Sequence, residues 1–510
     1  MAQQIYPMNM QNTVFPLLSE QQTRTIMGAS IGQAPAENVK PSVAYMHNVM
    51  PTKYGMNSVN YTQVTGAVAD PAIPSSFFTD VRLVFSATDN SRIYLGLTAG
   101  GSFFKLSPGE GSSWTQITST TVNPPSPFNP EFLTIATVNG RSYIFYKGYG
   151  MFEYQSGTNS IVAVVITGIS IPDMLGIVSS SGYLIAYTKD AIAWSSTINP
   201  IDFVPSQVTG AGGGAVAEID GDILFVTSNS LGVLLYTFNN IIAGTYTGNA
   251  LYPFKFREVE KSKGGISLNK VAYEANSVNQ FVYSKAGLMT VSSQKSEVIL
   301  PEITDFLAGN QFEDFNEVTK LLVQTNIPEN EQMLKQIKYI ASRYLVISYG
   351  LIATGLTHAL VVDTSMGKVG KLKASHVDVF EYVGPVEDAA KDSMAVLKAT
   401  GEVVTVNFSS VTNSVGVIVM GKLQATLTRN TGLLGVQVEN VTLGDDIVVM
   451  SSASFDGKNF TNVTGTLIND NANNVIEYGF RSSAKSHNII LIGSFNLVTL
   501  LITYRIEGKR

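Results

Sequence analysis

The stretch DAIAWSSTINPIDFVPSQVTGAGGGAVAEIDGDILFVTSNSLGVLLYTFNNIIAGTYTGNALYPFKFREVEKSKGG (Asp190 to Gly265) decides the fold. Two apolar runs, Ala191 to Trp194 and Asp222 to Thr227, flank a long loop rich in Pro, Ser and Gly. A third run, Gly232 to Tyr236, follows a turn at Ser228 to Leu231. Runs of four to six residues rich in β-branched and aromatic side chains, bounded by turn formers, read as strands joined in hairpins.

The same strand–turn–strand unit recurs on both sides. Ser91–Leu97 is followed by Ser102–Leu106, Arg141–Tyr146 by Met151–Tyr154, and Gly182–Tyr187 by Ala191–Ser195. Downstream, Asn279–Ser284 is followed by Leu288–Val291, and Arg343–Ser348 by His358–Asp363. Equivalent residues near 93, 143, 183, 223, 281 and 344 lie 50, 40, 40, 58 and 63 residues apart. A period of about 40–60 residues built from hairpins predicts a β-propeller, because one blade cannot bury both of its faces and stacked blades can. A run of two or three β-sandwiches is the alternative. The fold class is therefore all-β, with an irregular propeller of six or seven blades over residues 76–420. Helix signals are confined to Glu302–Ala308 and Asn330–Lys338, and the second reads equally as a polar edge strand.

The flanks differ in texture. Residues 1–75 are rich in Pro, Asn, Gln and Met and lack periodicity, which predicts an N-terminal arm and docking segment. Such an arm packs on the main body or reaches a neighbouring subunit. Residues 70–74 read as a linker. Residues 421–510 alternate strongly and end in a β-branched run, which predicts a separate C-terminal β-sandwich.

Composition excludes several chemistries. Only 14% of the 510 residues are charged, and the net charge of −6 argues against a surface that grips DNA. The absence of cysteine removes disulfides, thiolate metal sites and cysteine nucleophiles. His47, His358, His376 and His487 are scattered, with no pair at a helical metal-ligand spacing. No cofactor, metal site or catalytic residue is expected. No apolar run reaches the ~18 residues of a membrane span, and no signal peptide is read at the N-terminus.

Candidate sites are few. The run Gly210, Ala211, Gly212, Gly213, Gly214 lacks the Lys-Ser/Thr of a phosphate loop and reads as a flexible channel or interface loop. Trp194, Phe203, Tyr252, Phe254 and Phe256 are the aromatics to watch for partner contact, each with core packing as the plainer reading. Glu258, Glu260, Lys261 and Lys263 read as a solvated face. Ser454–Phe460 (SFDGKNF) is similar to the turn of an Asp-box of sialidase propellers, although Asp456-Gly457 is first a tight-turn signal.

Three stretches resemble one family. HNVMPTKYGMNSVNY (His47–Tyr61), WSSTINPIDFVPSQVTGAGGG (Trp194–Gly214) continued by TYTGNALYPFKFREVEKSKGG (Thr245–Gly265), and SFDGKNF with GSFNLVTLLITYRIEGKR (Gly493–Arg510) are similar to tail nozzle proteins of short-tailed bacteriophages, the tail tubular protein B type. The resemblance implies a propeller decorated by β domains. It implies a homo-oligomeric ring, usually a hexamer, in the virion tail below the portal and adaptor protein. Tail fibres or spikes would be neighbours, genomic DNA would pass through the lumen without sequence reading, and assembly would occur in the host cytoplasm. The reading from another class is a receptor- or glycan-binding tail protein, which an acidic pair and an arginine cluster lining the propeller funnel would favour. A generic propeller scaffold is a third, against which the lack of WD or kelch motifs weighs.

Overall fold

The fold was analysed in a computed structural model. The structure describes residues 4–9, 43–51, 56–65, 78–85, 92–107, 113–117, 129–250, 252–273, 277–284, 286–301, 303, 307, 311–316, 321–326, 333–365, 367–382, 393–407, 415–420, 423, 430–440, 447–456, 461–471 and 475–507. The linker read at 70–74 and the turn glycine Gly457 lie outside them.

Seven antiparallel blades close into a propeller. Blade 1 is formed by strands 78–85, 92–98, 103–106 and 115–116; blade 2 by 133–138, 141–146, 150–155 and 160–164. Blade 3 uses 176–180, 183–187, 191–194 and 212–215; blade 4 uses 223–229, 232–237, 241–246 and 254–258; blade 5 uses 271–272, 280–284, 287–291 and 296–298. Blade 6 comprises 333–340, 344–351, 355–363 and 368–376, and blade 7 comprises 378–382, 393–397 and 403–407 with residues 60–65 as its outer strand.

Local sequence explains the hairpins. In Arg141–Tyr146 every residue after Arg141 is buried, as expected of a strand covered on both faces. Its turn, Asn139-Gly140, has both residues in the left-handed region (φ 51° and 73°), the conformation that a two-residue hairpin loop needs.

The cores lie between blades. Separate apolar clusters join blades 1 and 2, 2 and 3, 6 and 7, and 7 and 1, while one cluster runs through blades 3, 4 and 5. The largest joins blades 5 and 6 to the sandwich. The closure between last and first blades is also hydrogen-bonded: Phe78 N–H donates to the Ala399 carbonyl (3.0 Å) and Trp114 Nε1 to the Gly401 carbonyl (2.6 Å). Between blades 4 and 5, buried Gln280 accepts from Thr227 Oγ1 (2.8 Å) and Tyr236 OH (2.7 Å) and donates to the Ser228 carbonyl (2.9 Å).

The C-terminal part is a two-layer sandwich. One sheet carries strands 496–506, 431–440, 475–484 and 466–471, with 4–9 and 56–58 also paired to 496–506. The other carries 43–47, 416–420, 486–493, 447–454 and 461–464. The alternating burial of Ile447–Ser454 is the signature of a strand with one face inside. Met46, Ile418, Val449 and Leu491 of the second sheet meet Leu433, Val436, Leu500 and Ile502 of the first in one core.

The described pieces of the segment expected as an arm, residues 4–9, 43–51 and 56–65, pack on the body as strands of its sheets. Residues 43–47 belong to the sandwich, and Val49 pairs with both Lys371 of blade 6 and Ser58. Residues 56–58 pair with the last sandwich strand, and 60–65 complete blade 7. The alternation that marks a strand is too short in each piece to be read, because every piece is only three to six residues long. Residues 416–420 likewise belong to the sandwich rather than the propeller, so the boundary expected at 421 lies before Gly416. The Ser454–Asp456 turn joins two sandwich strands, so the Asp-box likeness falls outside the propeller. Residues 333–340 are the innermost strand of blade 6, which settles the helix-or-strand alternative there. Ile303 and Leu307 are helical and buried in the main core.

Candidate functional site

Most of the residues chosen from sequence gather on the outer rim of blades 3 and 4. The loop 195–211 is pinned along its length. Ser196 Oγ accepts from Ile198 N (3.1 Å) and Asn199 N (3.2 Å), and Asp202 Oδ1 accepts from Thr167 Oγ1 (2.9 Å) and Val204 N (3.1 Å). Gly210 N–H donates to the Ser206 carbonyl (3.0 Å), and the Gly210 carbonyl accepts from Trp194 Nε1 (3.1 Å).

The four leading aromatics divide. Phe203 is buried between blades 2 and 3, and Phe254 is buried beside the Trp194 ring (6.1 Å, edge-on). Trp194 is half-buried, and Phe256 packs partly buried against the same core. Tyr252 alone among the four stands in solvent, at 72% exposure. Sequence reasoning missed its aliphatic companions on the pinned loop: Val208 is 91% exposed, Ile198 78% and Val204 48%.

Most of the glycine run is a strand rather than a flexible loop. Gly212, Gly213 and Gly214 form the outer strand of blade 3, paired with Ala191–Trp194 on the side away from the propeller axis. Its glycines are there for close approach: a Cβ on Gly213 would lie 2.7 Å from the Ile192 carbonyl oxygen and 2.9 Å from Ala193 Cα. Gly210 precedes that strand at the end of the pinned loop. The carboxylates and lysines of Glu258–Lys263 are exposed, as a solvated face requires.

A second site, not read from sequence, lies on the propeller axis. The innermost strands enclose a cavity of about 580 Å³. Charged groups from three blades meet at its wall. Lys338 of blade 6 lies 3.1 Å from Asp378 of blade 7 and 3.8 Å from Asp80 of blade 1, and Arg82 lies 2.6 Å from Asp80. Asp378 also accepts from Val81 N (3.0 Å), Val379 N (2.8 Å) and Gln336 Nε2 (3.2 Å). Both carboxylates are buried.

Their protonation differs. Burial would raise Asp80, but Arg82 and Lys338 outweigh it and hold the carboxyl below the usual range. Burial pushes Asp378 up to about 7; Lys338 opposes this and the neighbouring Asp80 reinforces it. Two carboxylates thus share a cationic setting in which one ionises readily and the other holds its proton toward neutrality. The only local signals were Asp80/Arg82 and Gln336/Lys338, each pair two residues apart and so on one face of a strand. Asp378 lies 42 positions from Gln336 and 297 from Val81.

Two of the histidines are held by hydrogen bonds in the core. His376 contacts Ser348 Oγ (2.8 Å) and the Ala374 carbonyl (2.6 Å), and His487 contacts Ser451 Oγ (3.0 Å) and the Thr431 carbonyl (2.8 Å). Among the described residues no three His, Asp or Glu side chains converge as metal ligands, and no helix is long and apolar enough to cross a membrane.

No protein-family model matches the chain, and no curated protein matches it. Among solved structures it is similar to the WD40 β-propeller domain of Doa1, at 8% identity and TM-score 0.39, covering 70% of this chain and 100% of that one. It is also similar to YCF48 bound to D1 peptide (11%, TM-score 0.38, 70% and 97%) and to YCF48 from Cyanidioschyzon merolae (13%, 0.38, 68% and 98%). The blade topology described above, with its closure of the seventh blade on the first, makes the protein an all-β propeller joined to a sandwich.

Proposed function

We propose that the protein is a non-enzymatic structural subunit of a short-tailed bacteriophage tail. In this reading it forms a ring-shaped nozzle that extends the DNA conduit below the portal and adaptor, retains the packaged genome and gates its ejection. The observation that carries the reading is the resemblance of three stretches at the beginning, middle and end of the chain to tail tubular protein B-type proteins. The places of those stretches in the fold support it. His47–Tyr61 ties sandwich to propeller, Gly493–Arg510 supplies the sandwich strand to which it is tied, and Trp194–Gly214 presents the rim loop. Exposed aliphatic tips on a fully pinned loop suit burial by a neighbouring subunit, since little conformational freedom is lost on docking.

Negative-stain electron microscopy and mass photometry, on the protein alone and mixed with the adaptor ring, test this. A closed ring with a central hole is expected in at least one condition. A monomer or compact trimer in both overturns the reading.

One observation favours the glycan-binding alternative: Asp80 and Arg82 line the funnel, with Asp378 buried behind them beside Lys338. Against it, both carboxylates are engaged by Lys338, Arg82 or backbone N–H groups, which suits a clamp between blades. Saturable binding on a host-glycan array, lost in Arg82→Ala, would transfer the weight.

A further inference from the structure

Two strand edges of this chain face solvent with their outward main-chain groups unmatched. The outer strand of blade 3, Gly212–Ala215, pairs with Ala191–Trp194, and the sandwich strand Thr461–Thr464 pairs with residues 450–453. Among the described residues no strand adds to the other side of either. In an antiparallel ladder, residues bonded to the partner strand alternate with residues whose N–H and C=O point off the edge. Val216 N–H donates to the Asp190 carbonyl (3.2 Å), whereas Ala191 N–H donates to Thr188 Oγ1 (3.1 Å) and its carbonyl accepts from Thr188 N (2.9 Å). Ala215, opposite Ala191, and Gly213 therefore turn their main-chain groups outward. Gly465 N–H donates to the Val449 carbonyl (2.8 Å), and the same alternation turns Asn462 and Thr464 outward. Each edge thus offers donors and acceptors at a two-residue spacing.

Neither edge is guarded. The outer strands of blades 4 and 5 carry exposed Lys255, Arg257, Glu258 and Glu297, charges of the kind that deter strand addition. Gly212–Ala215 and Thr461–Thr464 carry no charge, and neither ladder shifts register. Gly214 lies outside the left-handed region, and a Cβ there would meet nothing within 4 Å, so no contact inside the chain accounts for this glycine. A glycine in a strand weakens it and marks a place where another backbone approaches closely. Exposed apolar side chains stand near both edges in sequence: Ile198 and Val208 before the first, Phe455, Leu467 and Ile468 on either side of the second. Blade 4 separates blade 3 from blades 5 and 6, against which the sandwich packs, so within one chain the two edges stand apart.

We propose that the outer edge of blade 3 accepts the sandwich edge of a second copy of this chain. Gly212–Ala215 pairs antiparallel with Thr461–Thr464, so that Ala215 faces Asn462, Gly214 faces Val463 and Gly213 faces Thr464. Main-chain hydrogen bonds join the edges, and the exposed apolar side chains close over the seam. Two different patches joined in this way make a head-to-tail contact, which repeats into a ring or an open filament. The choice of a second copy as occupant rests on the subunit reading above.

The absence of cysteine from the chain permits a direct test. Ala215→Cys and Asn462→Cys, both at exposed positions, are made in separate full chains, mixed and mildly oxidised, alone and with the adaptor ring. Facing residues of a hydrogen-bonded antiparallel pair have Cα atoms about 5.5 Å apart, within disulfide reach. A covalent dimer linking 215 to 462 is expected from the mixture and not from either variant by itself. Ala215→Pro removes an outward N–H without touching a bond inside the blade. It should weaken self-association in sedimentation velocity by about tenfold or more, while Ala215→Ser keeps it within about threefold. Should Ala215→Pro fail to fold by circular dichroism, Thr464→Pro on the other edge is read instead. Closed rings that yield no 215–462 link, a link formed equally by one variant alone, or wild-type association in a folded proline variant overturns the proposal and leaves the tail reading standing. A 215–462 link in open chains without rings upholds the contact and sinks the ring. Monomers in every condition overturn both.

Discussion

Ser58 and Phe495, 437 positions apart, clasp each other. Ser58 N–H donates to the Phe495 carbonyl (2.9 Å), and Phe495 N–H donates to Ser58 Oγ (2.9 Å). Both residues are buried. The clasp sits where the N-terminal strap passes from blade 6 to blade 7, so one serine secures the junction of propeller and sandwich. Ser58→Ala leaves a buried N–H without its acceptor and is expected to cost about 1–3 kcal/mol. Urea unfolding followed by tryptophan fluorescence would register it as a lower midpoint, and an unchanged midpoint would show that the clasp contributes nothing.

The outer strand of blade 3 gives a paired test. Gly213→Val puts a branched side chain where a Cβ already meets the neighbouring backbone, whereas Gly214→Ala enters open space. The first is expected to lose about 1–3 kcal/mol and the second to stay within about 0.5 kcal/mol of wild type. Thermal melts of the two variants side by side check the contrast.

The pH dependence contains two opposing contributions from neighbours in sequence. Asp378 is raised, so its contribution is fully present below pH 4 and lost as pH climbs through about 7. His376 is lowered to about 4 by burial, so its contribution is present above its ordinary value of 6.5 and lost as pH falls toward 4. Relative to wild type, Asp378→Asn should make stability rise more steeply with pH across this window, and His376→Gln should make it fall. The differences should not exceed roughly 3 kcal/mol. Denaturant midpoints at pH 4.5, 5.5 and 6.5, conditions chosen to span about the whole window, check the signs, and parallel profiles for all three proteins would refute the opposition.

The rim loop separates folding from assembly. Val208→Asp and Ile198→Asp change side chains that already stand in water, so stability should move by less than about 0.5 kcal/mol. If the loop is an intersubunit contact, self-association or adaptor-templated assembly should drop at least about tenfold, the equivalent of one well-packed contact. Sedimentation velocity together with thermal melts distinguishes an assembly defect from a folding defect.

Legibility followed the range of the interactions. The hairpins of blades 1 to 6 are local: two strands and their turn fit within about twenty residues, and their period-2 or wholly apolar runs announce them. Blade 7 was harder because its outer strand, Asn60–Thr65, lies more than three hundred positions upstream of its partner Val403–Asn407. The 63-residue step before blade 6 is explained by an inserted hairpin, Gln311–Asn316 with Leu321–Asn326. Trp194 and Tyr252 were found as aromatics, yet Val208 drew no notice because a lone valine in a Ser- and Thr-rich loop carries no pattern. The Asp80–Lys338–Asp378 cluster was invisible for a like reason: Lys338 and Asp378 come from consecutive blades, and Asp80 joins them only when the first blade meets the seventh.

The woven strap also dictates an order of events during synthesis. Residues 43–65 leave the ribosome first, but their partners at 368–376, 403–407, 416–420 and 496–506 emerge last. At translation rates of about 5–20 residues per second, that delay is roughly 20–90 s. Blades 1 to 5 can form meanwhile from contiguous sequence, while the strap waits as unpaired apolar strand with buried-type residues such as Met46, Val49 and Met56. The newborn chain therefore passes through a long interval in which a nearly complete propeller carries an unmatched β edge, and that interval is where chaperone capture or misassociation with another nascent copy would compete with closure.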